Sequence, residues 1–161
     1  MPNEPKQNQL QKSNAIHPVE RRQARRYALQ AMYQWQIAGT SMDVIEAEFL
    51  KYHITKPFDV DYFKILIHEI PNCKQEIDSE MRSFLSRPLS EIDPIELSVI
   101  RIAIYELIKR PDVPYRVIIN EALELAKTFG SIEGYKFVNG ILDRVAKKTR
   151  ATEIEMGKSG K

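Results

Sequence analysis

The chain has 161 residues, the length of one ordinary domain, and 43% of them are hydrophobic, 29% charged and 9% aromatic. This composition is that of a globular protein, and six glycines and nine prolines exclude a collagen-like or low-complexity chain. The single cysteine, Cys73, excludes an internal disulfide framework and favours a reducing, cytoplasmic compartment. No apolar stretch approaches the ~18 residues of a membrane helix, and no signal-peptide pattern is evident, so we expect neither export nor membrane insertion.

The charges are distributed unevenly along the chain, although the net charge is only +2. Residues 1–26 and residues 144–161 each carry six Lys or Arg against two acidic side chains. Residues 27–143 carry twelve basic and eighteen acidic side chains. Two basic ends therefore flank an acidic body, which indicates a polyanion at the ends and a different, basic partner for the middle. Solvated basic tails would give the same distribution.

Residues 1–18 are polar and rich in Gln and Asn, contain three prolines, and predict a disordered N-terminal arm. From Val19 to Ala38 apolar residues recur at spacings of three and four, which predicts a helix that ends before Gly39. A second helix, capped by Thr40 or Ser41, is predicted to continue to about residue 52.

A loop is predicted over residues 53–58, which include a proline. Asp59 or Asp61 then opens a third helix with a strongly apolar face. Pro71 interrupts or restarts this helix, and a more polar helical segment follows as far as Leu85.

The clearest helix start in the chain is the segment 93–96. Asp93 can accept hydrogen bonds from free backbone N–H groups, Pro94 suits the first helical position, and Glu96 can reach back to the cap. The helix that follows is apolar on most sides, which predicts a central, buried position. It ends at residues 109–111, where two cations precede a proline.

Two further helices complete the predicted fold. One starts at Pro114 and stops at Gly130, and the next is capped by Ser131 and runs to about Val145. Residues 148–161 lose the helical period and predict a charged, disordered tail. No segment shows convincing strand alternation, so the sequence predicts an all-α domain of about seven helices over residues 19–147.

The sequence contains no recognisable catalytic or cofactor-binding motif, so we expect neither enzymatic activity nor a cofactor. There is no glycine-rich phosphate loop after a strand, and no Ser or Cys lies in a nucleophile motif. Glu121 and Glu124 are three residues apart on a helix, which is ordinary for a solvated face. We predict no metal site, because no metal-ligand spacing links the chain's histidines to Cys73 or to one another. These histidines are His17, His53 and His68.

The start of the first predicted helix carries four arginines within six residues. Their spacing places Arg21 with Arg25 and Arg22 with Arg26, one turn apart, and predicts four guanidinium groups along one edge. Guanidinium groups suit phosphate oxygens, and arginine-rich segments commonly bind RNA. Four cations at the positive end of a helix dipole disfavour folding, so polyanion binding is favoured over a purely structural role.

A second candidate lies at the start of the last predicted helix, where Tyr135, Lys136 and Phe137 place two rings and a cation together. Free N–H groups at a helix start favour anions, and exposed rings can stack on unpaired bases. Burial of Phe137 in the core with Tyr135 half-buried is the alternative, and it is slightly favoured.

Several strings of the chain, in order, resemble the NusB family of bacterial transcription antitermination factors. The strings are 21–26 with 28–33, 93–97, 101–107, 113–114, 119–122, 125–127 and 136–143. The resemblance covers about residues 19–147 and implies an all-α fold of two small packed helical bundles.

The resemblance also implies a function. Family members bind the single-stranded boxA element of ribosomal RNA leader transcripts together with NusE, a ribosomal protein of the small subunit, and join RNA polymerase and other Nus factors. The RNA-contacting positions that match are Arg21, Arg22, Arg25, Arg26, Glu133, Lys136 and Phe137. The positions that match the NusE contact are Tyr33 and Glu96.

Two alternatives to this RNA-binding adaptor remain open at the level of the sequence. One is a self-associating structural protein that buries its apolar and arginine-bearing surfaces in a homodimer. The other is a detached helical helper of an RNA-modifying enzyme, which would depend on a catalytic partner.

Overall fold

The structure, a computed structural model, describes residues 17–159. In this part of the chain every regular element is helical, which confirms the all-α prediction. The α-helices are α1 Pro18–Ala38, α2 Met42–Tyr52, α3 Val60–Asn72, α4 Lys74–Arg82, α5 Pro94–Lys109, α6 Tyr115–Phe129, α7 Ile132–Thr149 and α8 Ala151–Ser159. A short 3-10 turn, Leu89–Glu91, precedes α5. The predicted arm at 1–18 falls outside the described residues except for its last two, and α1 already begins at Pro18.

The predicted helix starts are built as capping chemistry requires. Of the alternatives left open, Ser41 rather than Thr40 caps α2, and Asp59 rather than Asp61 caps α3. Asp93 Oδ1 accepts from the N–H groups of Ile95 and Glu96 at 2.9 and 3.2 Å. Ser131 Oγ accepts from the N–H of the third residue after it at 3.0 Å. These side chains satisfy backbone donors that a helix start leaves without partners.

Helix α5 is the centre of the fold. It packs against α1, α3, α4, α6 and α7, and ten of its sixteen residues are buried. Helices α1, α2 and α3 contact one another on one side of α5, and α6 packs on α7 on another. The buried apolar side chains form one continuous cluster. Within the described residues, no helix is both long and apolar enough to cross a bilayer.

Helices α1 and α5 run antiparallel. Arg25, near the start of α1, pairs with Glu106 near the end of α5, at 2.8 Å. Gln36, near the end of α1, donates to the carbonyl of Pro94 and to Ser98 Oγ at the start of α5. The first turns of α1 therefore lie at the C-terminal end of α5.

Two predicted boundaries differ from the structure. The helix expected to reach Leu85 ends at Arg82, and the next two turns close with i→i−3 bonds, Phe84 N–H to the Met81 carbonyl and Leu85 N–H to the Arg82 carbonyl. The predicted disordered tail is wrong for residues 148–159, which complete α7 and form α8.

The physical reason for the ordered C-terminal segment is the Arg150 side chain, which is only 8% exposed. Its guanidinium donates to backbone carbonyls that follow or end α5, and to the Glu153 carboxylate. Those carbonyls belong to Glu106, Leu107, Arg110 and Val113. Glu153 in turn accepts from the backbone N–H of Tyr115 at the start of α6. A charged side chain thus satisfies carbonyls at a helix end and fixes the start of α8.

Candidate RNA-binding surface

The four arginines at the start of α1 do not share one edge. Arg22 is exposed, Arg21 and Arg26 are half-buried, and Arg25 is buried. Helical spacing placed them in two neighbouring stripes, but one of these stripes turns toward α3 and α5. The segment therefore divides into structural and solvent-facing cations.

Arg25 departs most from the prediction of an exposed guanidinium, which is wrong for this residue. Its side chain is 3% exposed, and its Nε and Nη2 each donate to the Glu106 carboxylate at 2.8 Å. The Tyr62 hydroxyl donates to the same carboxylate at 2.5 Å. Burial opposes the charged form of Arg25, but the hydrogen bonds and charge of Glu106 raise its pKa. Burial, followed by the charge of Glu106, raises the pKa of Tyr62.

Arg21 is also held against the protein. Its guanidinium lies 4.1 Å from the centre of the Tyr62 ring, a cation–π contact. Its Nε is 3.6 Å from Asp59 Oδ2, beyond hydrogen-bond length. The side chain of Arg21 is 15% exposed, which leaves little of it for a ligand.

Arg22 lies on the neighbouring stripe of α1, and half of its side chain is exposed. Its Nη2 donates to Glu121 Oε1 at 2.9 Å and its Nε to Glu121 Oε2 at 3.0 Å. These hydrogen bonds, and then the charge of Glu121, raise the pKa of Arg22. Arg26 makes no ion pair with any residue between 17 and 159. Arg22 is thus the exposed arginine of this segment, and Arg26, which is half-buried, is the one without an ion pair in the described chain.

The second predicted RNA region is in the first turns of α7. Glu133 and Lys136 are exposed, and their charged groups lie 3.8 Å apart. Phe137 is half-buried against the core, as is Tyr135, which agrees with the favoured packing alternative. The Arg87 guanidinium lies 5.2 Å from the centre of the Phe137 ring and adds a cation beside that ring that the sequence analysis did not single out.

The two residues matched to a protein partner lie at the end of the fold where α1 ends and α5 begins. Tyr33 is 39% exposed on α1. Glu96 is half-buried and does not make the predicted bond back to the cap. Its carboxylate instead packs over Gly134, where a Cβ would lie 2.2 Å from Oε1. Burial, with the nearby Asp93 carboxylate, raises the pKa of Glu96.

The two predicted RNA regions are separated along α5. The α1 arginine segment adjoins Glu106 through Arg25, whereas the start of α7 adjoins Glu96 through Gly134. Ten helical residues separate these two positions, which corresponds to about 15 Å. The start of α7 therefore lies closer to the predicted partner residues than to the arginines.

One cluster of potential metal ligands was not anticipated. Asp43, Glu46 and His68 each place one ligand atom within 4.8 Å of the others. His68 Nε2 contacts Glu46, while its Nδ1 lies 3.9 Å from Asp43. The two carboxylates thus face different ring nitrogens, and only the Glu46 carboxylate lies within hydrogen-bond distance of the ring.

The fold and surface together define a class: an all-helical protein without a catalytic constellation in residues 17–159, with an exposed arginine at the start of its first helix. The family model of the NusB family matches residues 22–147. The chain therefore belongs to the NusB family.

Similar proteins share most of their length with this chain. The transcription antitermination protein NusB of Shewanella halifaxensis is 49% identical over 135 residues, covering 84% of this chain and all of that protein. The NusB protein of Hahella chejuensis is 47% identical over 142 residues, 88% of this chain and 95% of that protein. The solved structure of NusB from T. maritima, 30% identical, superposes with a TM-score of 0.68 over 78% of this chain and 89% of that chain.

Proposed function

We propose that the protein is a non-catalytic transcription antitermination factor that acts in the cytoplasm by binding RNA. Its relatives carry the name transcription antitermination protein NusB at 47–49% identity over most of both chains. The observation that supports the RNA-binding role is the half-exposed side chain of Arg22 at the start of α1. Beside it, Arg26 has no ion-pair partner in the described chain.

The proposed RNA ligand is the single-stranded boxA element of ribosomal RNA leader transcripts. Arg22 and Arg26 would contact phosphate oxygens, and Lys136 would add a cation at the start of α7. Phe137, half-buried, offers a partly exposed ring for a base, with Glu133 beside it as a hydrogen-bond acceptor. Arg21 and Arg25 act through the fold, since their guanidinium groups pack on Tyr62 and Glu106.

The proposed protein partner is NusE, with RNA polymerase and the other Nus factors assembling around the complex. The acidic excess of residues 27–143 complements a basic ribosomal protein. Tyr33 and Glu96 are the proposed contacts. Glu96 packs on Gly134 at the start of α7, so a partner bound to Glu96 lies next to one of the proposed RNA-binding regions. RNA and NusE would therefore each strengthen the binding of the other.

The test is fluorescence anisotropy of a labelled boxA-type RNA and a scrambled RNA of equal length, with and without NusE, at two salt concentrations. We expect tighter binding of boxA RNA when NusE is present, with no such gain for the scrambled RNA. Equal, weak and purely salt-driven binding of both RNAs would contradict the proposal. Sedimentation across a concentration series would then decide whether a homodimer covers the arginine surface.

A further inference from the structure

The contact between Arg22 and Glu121 leaves one edge of the guanidinium available. All hydrogen bonds of Arg22 in the described structure go to Glu121, from Nε and from Nη2. A guanidinium has five N–H donors in a fixed fork, so Nη1 and the second hydrogen of Nη2 remain. That remaining edge suits a phosphate group, which binds a guanidinium through two parallel hydrogen bonds.

The two partners differ in their freedom. The Glu121 side chain is 14% exposed, whereas that of Arg22 is 50% exposed. The Glu121 carboxylate is therefore the more enclosed of the two groups, and all of its hydrogen bonds in the described structure come from Arg22. The inner edge of the guanidinium, formed by Nε and Nη2, is occupied by Glu121. The outer edge, formed by Nη1 and Nη2, is available to a phosphate in the described structure.

We propose that Glu121 is a positioning residue for RNA, which fixes the Arg22 guanidinium with its outer edge toward the phosphate. This inference rests on the proposed RNA-binding function. Arginine loses rotamer freedom when it binds a ligand, and a side chain already fixed by a carboxylate loses less. Glu121 itself makes no contact with RNA.

Loss of a positioning residue and loss of a repelling charge change the RNA affinity in opposite directions, so the two effects can be separated. Removal of a negative charge near a polyanion strengthens binding if the charge acts only through repulsion. Removal of Glu121 weakens binding if its role is to hold Arg22. Glu124, one turn along the same helix, provides the matched control: its charge acts on Arg22, but it makes no hydrogen bond with Arg22 in the described structure.

The experiment measures the affinity of a labelled single-stranded boxA-type RNA for the full chain and its variants, with NusE present. We expect Glu121→Gln to weaken binding by about 3- to 10-fold, the range for one immobilised side chain. Glu124→Gln should leave the affinity unchanged or raise it by about 2-fold. In the Arg22→Gln background, Glu121→Gln should no longer weaken binding. Thermal unfolding should show each variant folded, because an ion pair with a half-exposed partner contributes little to stability.

Failure of the inference differs from failure of the proposed function. If Arg22→Gln weakens binding while Glu121→Gln tightens it or leaves it unchanged, the positioning role is overturned and RNA binding by Arg22 stands. A weakening by Glu121→Gln that persists in the Arg22→Gln background also overturns it. If the wild-type chain does not prefer boxA RNA over scrambled RNA, the proposed function fails and the inference with it.

Discussion

Removal of the Arg25 side chain should damage folding and leave the phosphate contacts intact. Arg25→Ala would strand the Glu106 carboxylate, 2% exposed, with only the Tyr62 hydroxyl as a partner. Loss of one partner from a buried ion pair costs about 3–5 kcal/mol. This is a large share of the about 5–15 kcal/mol that stabilises a typical domain. For a chain of this length it corresponds to a fall in Tm of about 6–20 °C.

The assay is urea unfolding, followed by RNA titration at a temperature where the variant is folded. Arg26→Ala is the control, since Arg26 has no ion pair in the described chain. It should cost under about 1 kcal/mol of stability and reduce the salt slope of RNA binding by roughly 0.7. Arg25→Ala should leave that slope unchanged. If Arg25→Ala is as stable as Arg26→Ala, or if it alone loses salt slope, our assignment of Arg25 to the core is refuted.

Three further predictions concern Glu96 and Arg150. Gly134→Ala places a Cβ 2.2 Å from Glu96 Oε1, so it should displace that flexible carboxylate. A pull-down titration should then show weaker NusE binding. Gly140→Ala, whose Cβ would have open space around it, should leave NusE binding unchanged. The pKa of Glu96 is raised in the folded protein, so folding favours the protonated carboxyl. Its contribution to the free energy of unfolding is complete below the usual pKa of 4.5 and is lost as the pH rises through the raised pKa. In urea unfolding, the free energy of unfolding of Glu96→Gln relative to that of the wild type should therefore increase from pH 4 to pH 7. A difference between the two proteins that stays constant over this range would contradict this. Arg150→Ala should cost about 2–4 kcal/mol by loss of charged hydrogen bonds to backbone carbonyls, and an unchanged unfolding midpoint would contradict it.

Helix starts were predictable because their signals are local. Asp93 followed by Pro94, and Ser131 after Gly130, place a cap beside residues that cannot continue the preceding element, and both caps form as predicted. The all-α class follows from the same local periodicity, and it is confirmed. Local signals of this kind need no knowledge of the neighbouring helices.

Which of the four arginines are buried and which is exposed was not predictable from α1 alone. Spacing shows which side chains share a stripe, but the stripe that meets α5 depends on tertiary packing. The missing signal was in α5: Glu106 is an acidic residue among the buried residues of the central helix, and a buried carboxylate requires a partner such as a cation. Arg150 was missed for a similar reason, because its partners are carbonyls more than thirty residues earlier.

The antiparallel arrangement of α1 and α5 makes the proposed RNA a bivalent ligand. Its two contact regions adjoin Glu96 and Glu106, two positions of α5 that lie about 15 Å apart along the helix axis. An oligonucleotide that spans both regions binds the second one at a high effective concentration, whereas a shorter one can occupy only a single region. Affinity should therefore rise steeply at the RNA length that first bridges α5 and change little beyond it. The length of the central helix would set the minimum length of RNA that the protein holds well.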